Sequence, residues 1–158
     1  MIGIILATVI MAVYLGWYLY NYGVPGSISR TVYKLPHESI FTLVMYAVAF
    51  LTVIPMMNAC SENTKVLAFL TMGSIGFVGA APLGKHCDER VHMSAAAIFG
   101  VCSQIMIAIN APALLLMWLL FLFVFIILLG RNWLFWAELV CIATLFAFCL
   151  LPYVRTIF

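Results

Sequence analysis

The sequence predicts an all-α integral membrane protein, a six-transmembrane-helix bundle with short loops, and three observations lead there. Of 158 residues, 67% are apolar and only 8% are charged, too few to clothe a soluble globule. Polar breaks divide the chain into six apolar segments, each near the ~20 residues needed to cross a bilayer. The ionisable residues also alternate. Connections one, three and five hold Arg30, Lys34, His37, Glu38, Lys85, His86, Asp88, Glu89, Arg90, His92 and Arg131, whereas the opposite side holds only Glu62, Lys65 and Arg155. The whole chain, 1–158, reads as a single transmembrane domain with spans at 2–20, 36–57, 65–81, 90–110, 113–129 and 133–153.

The first span lacks a basic leader and a small-residue cleavage site, so it reads as a retained helix rather than a signal peptide. It ends in Trp17, Tyr18, Tyr20 and Tyr22, rings suited to the headgroup level. Gly23, Pro25 and Gly26 then break the helix into the longest loop. Pro36 followed by Glu38 opens the second span, because proline tolerates the first helical turn and a carboxylate suits the positive helix end. Pro55 falls in its last turn. The third span carries Gly73, Gly76 and Gly79, and the fourth carries Ser94, Ala95, Ala96, Ala97 and Gly100. Small residues at this spacing permit close approach, so the two stripes are expected to face each other.

Asn110, Ala111 and Pro112 separate the fourth span from the fifth, the most uniformly apolar segment. One fused helix there would run to nearly 40 residues, too long for a single crossing. Gly130, Arg131 and Asn132 form the turn into the sixth span, which starts with Trp133 and Trp136. Counting only Lys and Arg places loops one, three and five in the cytoplasm and both termini outside. Cys60, Cys87, Cys102, Cys141 and Cys149 form no C-x-x-C pair, and an odd count without a framework argues against a disulfide scaffold. No basic stripe exists to bind nucleic acid, and no cofactor is implied.

Any polar chemistry is expected at the face of the odd loops. There the second, fourth and sixth helices begin, offering unpaired N–H groups and partial positive charge. Arg30, Lys34, Lys85 and Arg131 add full charges. Two readings fit: a cradle for an anionic headgroup, or ordinary positive-inside residues with carboxylates at helix starts. Glu138 lies roughly 8 Å along the sixth helix, where an unpaired carboxylate costs a few kcal/mol. It is expected to pair with a basic or histidine side chain from the first or third loop, unless it snorkels or stays protonated. Gln104, near the middle of the fourth span, either bonds to another helix or lines a small cavity.

His86, Asp88 and His92, completed by His37, suggest a metal site, since zinc takes three or four such ligands. That spacing superficially resembles membrane hydrolases of the alkaline ceramidase type, but those have seven spans and a second paired-histidine motif that is absent here. A nucleophile built from Ser27 or Ser29 with His37 lacks any oxyanion device.

A family resemblance rests on four stretches. These are Pro25-Gly26-Ser27-Ile28-Ser29 and Leu35-Pro36-His37-Glu38-Ser39-Ile40-Phe41, then Gly76-Phe77-Val78-Gly79-Ala80-Ala81-Pro82 and His92-Met93-Ser94-Ala95-Ala96-Ala97-Ile98-Phe99. Over the first two thirds of its length the chain resembles the Frag/DRAM/Sfk group of six-span membrane proteins. The resemblance implies a lipid-associated membrane protein and does not imply an enzyme. The expected function is therefore to bind or organise membrane lipid, or a small amphipathic ligand, at the odd-loop face. Arg30, Lys34, Lys85 and Arg131 would supply charge there, and His37, Glu38, His92 and Glu138 a polar core. A metal-dependent hydrolase using His37, His86, His92 and Asp88 is one alternative. A small channel or transporter assembled as a homo-oligomer is the other.

Overall fold

In a computed structural model of the chain, residues 1–80, 89–128 and 132–155 are described. Every regular element among them is helical. The α-helices are α1 (Ile2–Tyr22), α2 (Glu38–Ala59), α3 (Lys65–Ala80), α4 (Glu89–Asn110), α5 (Leu116–Leu128) and α6 (Trp133–Arg155). Short 3-10 turns occupy Ser29–Lys34, Glu62–Thr64 and Pro112–Leu115. Four helices, α1, α2, α4 and α6, are long and apolar enough to cross a membrane, as in a multi-pass membrane protein. Over their described residues α3 has 16 and α5 has 13. At about 1.5 Å per residue these fall short of a hydrocarbon core of about 30 Å. The chain was expected to enter its fifth helix at 113. Instead Pro112 opens a 3-10 turn, with the Leu114 N–H donating to the Ala111 carbonyl at 3.0 Å, and α5 starts only at Leu116.

The helix α2 is central, packing on α1, α3 and α6, while α4 packs on α3 and α6, and α5 lies mainly along α6. Hydrogen bonds between loops fix the helix directions. At one end, Asn132 Nδ2 donates to the Val24 carbonyl at 3.3 Å, and the Ile28 N–H donates to Glu138. At the other, Asn110 accepts from the Ser61 N–H at 2.9 Å and donates to Thr64 Oγ1 at 2.9 Å. The start of α6 thus meets the loop that leads into α2, and the end of α4 meets the end of α2. All three helices run the same way. Beside that second junction the Cys60 thiol donates to Met106 Sδ at 3.2 Å. Burial pushes the Cys60 thiol pKa up, against the opposing Thr64 hydrogen bond and Lys65 charge.

The closest approaches differ from those expected of the glycine stripe. A Cβ on Gly79 would sit 2.7 Å from Met45 Cβ, and one on Gly76 would sit 3.9 Å from the Tyr46 ring. Both neighbours belong to α2. Gly73 and Gly100 meet nothing within 4 Å. Although α3 does pack along α4, Gly76 and Gly79 therefore serve the α2 interface. Spacing of small residues shows that a face is flat, but says nothing of which neighbour lies on it.

A second close approach starts from Pro55, inside α2. Lacking an N–H, proline cannot bond the carbonyl four residues back, that of Leu51. Gly3 of α1 packs there, and a Cβ on it would lie 2.6 Å from the Leu51 oxygen. The Gly3 backbone therefore covers a carbonyl that the α2 ladder leaves unbonded.

Gln104 ties three helices. Its Oε1 accepts from Trp118 Nε1 at 2.8 Å, and its Nε2 donates to Thr144 Oγ1 at 3.3 Å and Cys141 Sγ at 3.2 Å. Trp118 is on α5, and the other two partners are on α6. These bonds give Gln104 the interhelical role, the first of the two expected for it. Gln104→Leu should lower detergent stability by about 0.6–2 kcal/mol. In a double-mutant cycle it should couple to Trp118→Phe, and additive effects in thermal melts would show that the bond contributes nothing.

Candidate functional site: the first loop and the cavity beneath it

The first loop folds inward instead of lying on the surface. Gly23, at φ 73°, ends α1 with its N–H bonded to the Leu19 carbonyl at 3.0 Å. That left-handed conformation suits glycine. Pro25, Ser27 and Ile28 are then buried. Ser27 Oγ accepts from the Arg30 N–H at 3.1 Å, the bond an N-cap serine makes. Thr31 donates to the Ile28 carbonyl at 2.6 Å and is hydrogen-bonded to the Tyr14 hydroxyl of α1. The segment is thus tied to itself and to the bundle.

Glu138 reaches the same segment from α6. Its Oε2 accepts from the Ile28 N–H at 2.5 Å. Among the described residues its partner is backbone and not the expected basic or histidine side chain. Among the described residues the one ion pair is Lys65–Glu62, an exposed pair at the other end of the bundle. The physical reason is that the first N–H groups of any helical turn have no internal acceptor. The Ile28 N–H, just before the 3-10 turn at Ser29–Lys34, donates to the carboxylate, which suits the positive end of a helical segment.

Beneath this contact lies a cavity of about 70 Å³, enclosed by α1, α2, α3, α4, α6 and the loop. That is several times the ~10–15 Å³ a single water needs. Met11, Phe41, Met45, Val48 and Leu145 form its buried walls. Ser29, Val78, Ala96, Phe99, Glu138 and Ile142 are the partly exposed lining residues, so Glu138 stands at the rim. Among the described lining residues only Ser29 and Glu138 have polar side chains, and only Glu138 is ionisable.

The other expected site residues that are described do not line this cavity. Arg30, Lys34, His37 and Glu38 are all exposed, on the outer side of the loop and at the start of α2. His92 is half-buried in the first turn of α4 and does not line the cavity. Lys85, His86, Asp88 and Arg131 lie outside the described residues. Of the suggested metal ligands, then, only His37 and His92 are placed. Among the described residues no three His, Cys, Asp or Glu side chains converge on one point.

Three residues that build the site had carried no expectation of this role: Ser27 as a cap, Thr31 as a bridge and Tyr14 as its anchor. A serine three residues before the backbone N–H it caps is a detectable helix-start signal, but Tyr14 could be found only from the fold. No family model, no curated protein and no solved structure matches this chain.

Proposed function

We propose that this is a six-span membrane protein, similar to the Frag/DRAM/Sfk group, that binds a membrane lipid or small amphiphile without transforming it. The observation that carries this reading is the apolar cavity with a single polar rim beneath the first loop. Ligand sites are typically apolar hollows with a few placed polar groups. A single alkyl chain matches these walls in chemistry, and a polar head would rest near Glu138 and Ser29. Arg30, Lys34, His37 and Glu38 lie on the outer side of the same loop, within reach of headgroups in the surrounding leaflet. The shorter α3 and α5 would complete the six crossings, with loops one, three and five in the cytoplasm.

Native mass spectrometry of the full chain extracted in mild detergent tests this reading. A co-purifying lipid is expected. It should fall several-fold in occupancy when Ala96→Leu or Val48→Phe fills the cavity, while Gly73→Ala, where nothing lies within 4 Å, leaves it unchanged. Equal lipid retention by the filled variants would overturn the assignment.

A further inference from the structure

We infer that the ligand of this cavity is a single-chain amphiphile whose head donates hydrogen bonds, a primary ammonium rather than a carboxylate or phosphate. The inference rests on the lipid-binding reading and deepens it. Among the described lining residues the one charged group is Glu138, partly exposed, where the head of a chain inserted between the helices would come. An ionised carboxylate has two oxygens and accepts only. The Ile28 N–H engages Oε2, and a carboxylate with about four lone-pair sites keeps acceptor capacity for a ligand. Ser29, the other polar lining residue, can accept as well as donate through its hydroxyl, although it already shares a bond with Ser27 at 3.1 Å.

An anionic head in this position finds neither an opposite charge nor a donor on the Glu138 carboxylate, and where both are ionised they repel across a low-dielectric gap that screens poorly. An ammonium meets attraction and a charge-assisted hydrogen bond instead. Arg30 and Lys34 do not reverse this preference, because both are exposed and absent from the lining. Their charges face salt water, which screens them over about 8–10 Å. Size points the same way. A cavity of about 70 Å³ takes part of one chain and leaves no room for a second.

The test is a head-group series of equal chain length on the detergent-solubilised full chain: hexadecylamine, hexadecanol, palmitic acid and hexadecyl phosphate, with affinities read by native mass spectrometry. The amine should bind at least about tenfold more tightly than the acid or phosphate. Glu138→Gln keeps an acceptor for the Ile28 N–H but loses the charge. It should lower amine affinity by about tenfold while leaving the alcohol nearly unchanged. Ala96→Leu should weaken all four.

Tighter binding of the acid or phosphate, itself lost in Ala96→Leu, would overturn the head-group assignment and leave the lipid-binding reading standing. Amine binding that is indifferent to Glu138→Gln would also overturn it. Failure of all four to bind would overturn both.

Discussion

Gly79→Leu is expected to abolish the folded bundle in detergent, and Gly79→Ala to lower its melting temperature clearly. The Cβ of even an alanine would stand 2.7 Å from Met45 Cβ and 3.6 Å from the Thr42 carbonyl. Neither is the far end of a flexible side chain, so α2 and α3 must move apart. Overpacking of this kind costs about 1–3 kcal/mol per inserted group, and leucine adds three further carbons. Two controls sharpen the expectation. Met45→Ala should not rescue Gly79→Ala, because the clashing atom is the Cβ that alanine keeps. Gly73→Ala, on the same helix with nothing within 4 Å, should be neutral or slightly stabilising. A Gly79→Ala protein that melts with the wild type would mean the two helices are further apart than described.

Glu138→Leu is expected to release the first loop. The substitution leaves the Ile28 N–H without its carboxylate, and Ile28 is only 4% exposed. A buried donor left unsatisfied costs about 1–3 kcal/mol. The measured signature should be local. Hydrogen exchange at Ile28 should accelerate far more than at Gln104, and proteolysis should begin within the first loop. Glu138→Gln, which still offers an oxygen to the Ile28 N–H, should show much less of either. If leucine at this position leaves exchange unchanged or raises stability, the carboxylate does not hold the loop.

Periodicity and composition are sufficient for the helices because a bilayer offers backbone polar groups no partner but their own chain. Long apolar runs bounded by Gly23, Pro36, Asn110 and Asn132 therefore become helices in any arrangement, and their ends fall within a few residues of the breaks. The glycine stripe of α3 shows where this legibility stops. Gly76 and Gly79 marked a surface for close approach, but the neighbour is α2, and in an apolar medium any helix can supply such a partner. Gln104 was readable as a polar group that either bonds across to another helix or lines a small cavity, and Trp118, Thr144 and Cys141 became its partners only through the packing of α4, α5 and α6.

Glu138 divides the two kinds of information most sharply. Its depth in α6 and the energy of burying a carboxylate marked it, from sequence alone, as a residue needing a partner. That reasoning favoured a side-chain cation, because cations are the partners visible as letters. Among the described residues the partner is a backbone N–H, a group every residue but proline carries. It becomes available only where the chain starts a helical turn, and useful only where that turn is folded against α6. The sequence by itself determined the helices, the polar end of the bundle and the need to satisfy Glu138. Only the tertiary structure decided that the first loop turns inward to do so, and that an apolar cavity remains beneath it, since both depend on contacts between segments up to 110 residues apart.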